Sequence, residues 1–132
     1  MKTIIGLTHE EERALDMLTY SKTADKLKYE EQRRISSWVV NNLLELYNEV
    51  LSLLKEECNQ FKVNSGYRCE RTNKAVNGTV RSQHLTGNAA DVTCSDLEKM
   101  WDILKKCDVD QCIRYETFIH VSYVTYRKNR NQ

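Results

Sequence analysis

A chain of 132 residues with 40% hydrophobic and 30% charged side chains carries enough apolar material for a folded core and too much to stay disordered. Twenty basic and nineteen acidic residues leave a net charge of +1, which removes the electrostatic case for nucleic-acid binding. Five cysteines, an odd number at irregular spacing with no C-x-x-C, argue against a secreted disulfide framework and against a cysteine zinc site.

The length suits one domain over residues 1–132. No apolar run is long enough to span a membrane. Thr3-Ile4-Ile5-Gly6-Leu7 is too short, and too soon followed by charge, to be a signal peptide. The expectation is a monomer made in the cytoplasm, reaching any extracellular target by release or through another factor.

Thr8-His9-Glu10-Glu11 has the form of a capping box, with Ala14, Leu15 and Leu18 as the apolar stripe of a short helix. His9, among glutamates, reads as solvated surface. Residues 21–27 hold a second short helix or a loop. The longest helical pattern runs from Glu30 to about Gln60, with Ile35, Val39, Leu43, Leu46, Val50, Leu53 and Leu54 at spacings of three or four. Residues 61–67 read as a strand. Residues 64–81 are mostly loop with one turn of helix.

Residues 89–93 read as a strand, then Ser95-Asp96-Leu97-Glu98 as a second capping box for a helix ending near Lys105-Lys106. Residues 111–115 form a strand, Glu116-Thr117 a tight hairpin connection, and residues 118–123 the returning strand. The tail at 127–132 is basic and polar. This order of elements predicts an α+β fold: helices on one face of a small antiparallel sheet, with the other face left for function.

The chemistry concentrates in Ser82-Gln83-His84-Leu85-Thr86-Gly87-Asn88-Ala89-Ala90-Asp91 and in Phe118-Ile119-His120-Val121-Ser122. Side chains alternate faces along a strand. Asp91 therefore shares a face with Ala89 and Thr93, and His120 with Phe118 and Ser122. Placing the aliphatic faces on the core lets Asp91 and His120 project together. Gly87 permits a turn that brings His84 back beside Asp91. Two histidines and one carboxylate are a ligand set of a catalytic zinc, with a fourth position left open.

Ser82-x-His84-x-x-Gly87-x-Ala89-x-Asp91 followed by a late-strand histidine resembles the zinc D-alanyl-D-alanine carboxypeptidases, in the wider group of VanX-type dipeptidases, phage endolysins and the hedgehog domain. Val63-Asn64-Ser65-Gly66-Tyr67-Arg68 resembles the family's Ser-Gly-Tyr-Arg segment, and Asn73-Lys74-Ala75-Val76-Asn77-Gly78 its link to the histidine segment. The resemblance covers roughly residues 15 to 130. It implies one zinc ion on His84, Asp91 and His120, and hydrolysis of peptidoglycan stem peptides at a D-alanine-containing bond by an endolysin-like enzyme. It also implies that Arg68 anchors a substrate carboxylate or the developing oxyanion, for which a planar guanidinium is suited. Ser82 hydrogen-bonds substrate or shapes the turn, and Tyr67 serves packing.

The general base departs from the pattern. Many relatives carry an acid three positions before the last histidine, where this chain has Thr117. Glu116, one residue earlier, is the expected base, with Asp110 as the fallback. If neither reaches the metal, the chain is a non-catalytic binding module for cell-wall peptide or a protein. Nucleic-acid binding through Arg127, Lys128 and Arg130 is weak, since three charges on a near-neutral chain release few counterions.

Overall fold

The structure, a computed structural model, describes residues 6–125; Ile4, Ile5 and the basic tail with Arg127, Lys128 and Arg130 lie outside the described residues. Helix α1 (His9–Thr19) starts at the expected box: Glu11 N donates to Thr8 Oγ1 at 3.1 Å, and Thr8 N to Glu11 Oε1 at 3.2 Å. Ser21 caps α2 (Lys22–Leu27), whose Ala24 N donates to Ser21 Oγ.

The long helix begins later than its apolar pattern. Glu30–Arg33 form only a 3₁₀ turn, and helix α3 (Ser37–Leu46) starts where Val39 N finds Ser36 Oγ at 3.2 Å. It runs through a π-helical turn (Tyr47–Leu51) into α4 (Ser52–Glu57). Further on, α5 (Glu70–Ala75) is capped by Cys69, whose Sγ accepts from Thr72 N. Helix α6 (Leu97–Lys105) is capped by Asp96, one residue after the expected cap. Ser95 is instead tied to Asn59 O through both its backbone N, at 3.0 Å, and its Oγ, at 3.1 Å, and Asp96 accepts from Lys99 N as the cap.

Strands β1 (Lys62–Ser65), β2 (Ala89–Thr93), β3 (Gln111–Arg114) and β4 (Ile119–Ser122) form one antiparallel sheet in the order β1-β2-β4-β3. On one face Ala90, Val92, Ile119 and Val121 are wholly buried and join Leu15, Leu18, Leu43, Leu46, Leu54, Met100 and Leu104 of the helices in one cluster. Each such large side chain contributes about 1.5–3 kcal/mol through burial. The protein is thus α+β, and the alternation that buries this face turns Asp91 and His120 to the other. Strand β1 carries a bulge: Val63 pairs with Val92 but Ser65 with Asp91, leaving Asn64 as an extra residue. Among the described residues no helix is long and apolar enough to cross a membrane.

Candidate metal centre

One row of residues crosses the exposed sheet face. Ser65 stands opposite Asp91, Asp91 opposite His120, and His120 opposite Ile113. Side chains in such a row stand side by side, so pairing of β2 with β4 alone brings Asp91 Oδ1 to 2.9 Å from His120 Nδ1.

His84 arrives from outside the sheet, on a 3₁₀ turn (Gln83–Thr86). Ser82 Oγ caps that turn by accepting from His84 N at 3.2 Å. Gly87 closes it at φ +77°, and a Cβ there would lie 2.8 Å from Val39 O of α3, so both dihedral and space require glycine. The turn sets His84 Nε2 3.3 Å from Asp91 Oδ1. The ligand atoms of His84, Asp91 and His120 all lie within 4.8 Å of one another, and among the described residues they are the cluster that can hold a metal ion.

The hydrogen bonding favours a cation at this point. His84 is 2% exposed, and its Nδ1 lies 2.7 Å from Gly66 O, a group that only accepts. The ring proton of a neutral His84 is therefore on Nδ1, and Nε2 presents a lone pair towards the carboxylate oxygen of Asp91. Two lone pairs facing each other in a largely buried site are relieved by a shared positive ion. Burial pushes the Asp91 carboxyl up, but the hydrogen bond from His120 and the closeness of both imidazoles outweigh it and hold the group well below the usual carboxylate range. Asp91 is thus an anion through the physiological range. Two imidazoles and a carboxylate, one ring oriented by a backbone carbonyl, suit a divalent ion such as zinc.

Arg68 stands beside this cluster. Its backbone N donates to His84 O at 3.0 Å, tying the two segments together. Its Nη1 donates to Asn73 Oδ1 at 3.0 Å, while Asn73 Nδ2 is held by Thr79 O. The Nε of Arg68 is buried without a hydrogen-bond partner, while the residue itself borders the cleft. Burial lowers the pKa of this guanidinium, and the neighbouring Asp91 charge partly offsets it.

The family model of peptidase M15 matches residues 10–122. The chain belongs to the peptidase M15 family. That family is one of metal-dependent peptidases. No curated protein matches the chain.

The remaining site residues of this M15 chain fall in three kinds of place. Ser82 lines the cleft beside His84 and spends its oxygen lone pair on the turn. Tyr67 is buried in the core cluster. Asp110 is wholly buried, accepting from Gln83 Nε2 at 2.7 Å and Ser122 Oγ at 3.0 Å. Glu116 and Thr117 form the exposed tip of the β3–β4 hairpin, where Tyr115 N donates to Phe118 O. Tyr115 and Phe118 line the cleft; Glu116 is not among the lining residues, and Asp91 is the one carboxylate that is. His9 is a surface side chain beside Glu12.

Sequence reasoning missed Gln32. It is 3% exposed, donates to Thr19 O and Tyr67 O, and accepts from Cys69 N, at 3.0, 2.8 and 3.0 Å. It thus holds the backbone on both sides of Arg68. Nothing in Glu30-Glu31-Gln32-Arg33-Arg34 marks this residue, because its partners are remote in sequence. Asn73 was visible only as part of a resembling segment.

Proposed function

We propose that this M15 member is a zinc peptidase that hydrolyses peptidoglycan stem peptides at a bond involving D-alanine, as a cell-wall lytic enzyme of endolysin type. The supporting observation is the convergence of His84 Nε2, Asp91 Oδ1 and His120 Nδ1, with His84 Nδ1–H committed to Gly66 O. These three residues would hold the ion. Such an ion supplies Lewis acidity, which activates water and polarises a carbonyl at neutral pH.

The protein's own groups provide the rest. Arg68, which lines the cleft, stabilises negative charge on the carbonyl oxygen or a carboxylate through its guanidinium. Ser82 offers its hydroxyl at the cleft wall. Glu116 takes the proton of the attacking water and passes it to the leaving amine, a task that needs the hairpin tip to lean over the cleft when substrate binds. Action at the cell wall follows release or delivery by another factor.

A second reading has its own support: the cleft lining holds no carboxylate besides Asp91, and Glu116 is exposed. On that reading the chain binds wall peptide, or a protein, without cutting it. Mass spectrometry of products from purified peptidoglycan, with added zinc and with chelator, separates the two. Chelator-sensitive fragments, absent with His84→Ala, support the peptidase; none, with zinc bound, supports the binding module.

A further inference from the structure

Two cavities meet at the metal-ligand cluster. One, of about 440 Å³, opens towards the β3–β4 hairpin; the other, of about 280 Å³, opens towards α2 and the end of β1. Both are lined by Asp91 and Arg68. The row Ser65, Asp91, His120, Ile113 runs from one to the other and spans all four strands. Neighbouring strands lie about 4.8 Å apart and an extended chain advances about 3.3 Å per residue, so the row matches about four residues of peptide.

The two ends differ in chemistry. At the hairpin end Ile113 lies beside His120, and Tyr115 stacks on Phe118 with ring centroids 4.7 Å apart and planes 16° apart. Tyr115 is 47% exposed, so this apolar wall is open to a ligand. At the α2 end Ser21, Thr23, Asn64, Ser65 and Thr72 give a mostly polar lining beside Tyr20 and Val76, with Lys22 as the cation besides Arg68. Arg68, the group that would clasp a terminal carboxylate, borders both cavities and so stands mid-row, not at a closed end.

Resting on the peptidase reading, we propose that the substrate lies across the sheet with residues on both sides of the scissile bond, so that cleavage is internal. An apolar side chain lies against Ile113 and Phe118, and an acidic one near Lys22. Hydrolysis breaks the peptide C–N bond, water's hydroxyl joins the carbonyl carbon, and a proton goes to the amine; no other reactant is needed. Arg68 then serves the carbonyl oxygen.

Three measurements test this. With zinc and purified peptidoglycan, the products are fragments of two or more residues; release of single terminal amino acids alone overturns the proposal. In parallel, the metal-free, nitrogen-15-labelled protein is titrated with a stem-type tetrapeptide blocked at both ends and with the same peptide bearing a free carboxyl. The expected result is binding of both within about threefold, with amide shifts at Thr23 and Ser65 as well as at Ile113 and Phe118. Shifts confined to one end, or binding that requires the free carboxyl, overturn it. If no product forms, the peptidase reading falls and the titration alone decides whether the cleft is two-ended. Lys22→Glu, on the surface of α2, should weaken an acidic peptide about tenfold and a neutral one less than about twofold; equal effects overturn the acidic assignment.

Discussion

His120 of the metal-ligand cluster and the hairpin tip lie only a few residues apart in the chain, yet cluster and tip are built in opposite ways. Asp91 and His120 are fixed by strand pairing, and His84 by a capped turn, a glycine and a carbonyl behind its ring. Glu116 stands on an exposed connection, outside the residues that line the cleft. Groups that hold an ion benefit from rigid geometry before it arrives, whereas a group that carries a proton can be delivered by a moving segment.

That contrast can be broken at either end, most severely at the ligands. Replacing His84 by Ala should abolish detectable zinc binding in calorimetry, and peptidase activity with it; retained tight binding would mean that the cluster is not the site. Glu116→Gln should leave zinc affinity unchanged and lower kcat by about 10²–10⁴-fold if the tip delivers the base. An unaltered rate would show that the tip plays no part.

A smaller effect is expected behind His84. Gly66→Ala places a Cβ 2.2 Å from Leu18 O, displacing the carbonyl that orients the ring. Zinc affinity should fall by about 10–100-fold. Affinity within error of wild type would show that the ring needs no such guide. Gln32→Leu strands buried backbone groups on both sides of Arg68 and should cost about 2–4 kcal/mol in urea unfolding, with kcat/KM lowered beyond what the stability loss explains.

The smallest effect is a pH dependence of the ion-free protein. Because His120 and His84 hold the Asp91 carboxyl below its ordinary range, its stabilisation is present above the unfolded carboxylate value and is lost as pH falls through the lowered one. Asp91→Asn should therefore differ from wild type in unfolding midpoint near neutrality and approach it in strong acid. A gap that widens with acid would reverse the assigned sign.

Much of this was legible in the chain. Alternation in residues 89–93 and 118–123 placed Asp91 and His120 on one face, and Gly87 announced the turn that returns His84. What failed was local and has local causes. Ile35 lies outside the long helix because the charged run before it offers no apolar face, and Ser36 is the cap. The π turn at Tyr47–Leu51 keeps apolar spacings of three and four, so its pattern does not differ from an α-helix. Gln32 was invisible because its importance lies in three backbone groups, at Thr19, Tyr67 and Cys69, that only the fold assembles.

The bulge in β1 carries a consequence for how such a chain can change over generations. Asn64 is the extra residue that lets Ser65 face Asp91 while Val63 still faces Val92. Deleting it would slide the segment by one position, exchange the faces of its side chains, and carry both the Gly66 carbonyl and Arg68 away from His84. Residues 62–68 therefore accept changes of spelling far more readily than changes of length, and insertions or deletions should be found in the surface connections on either side.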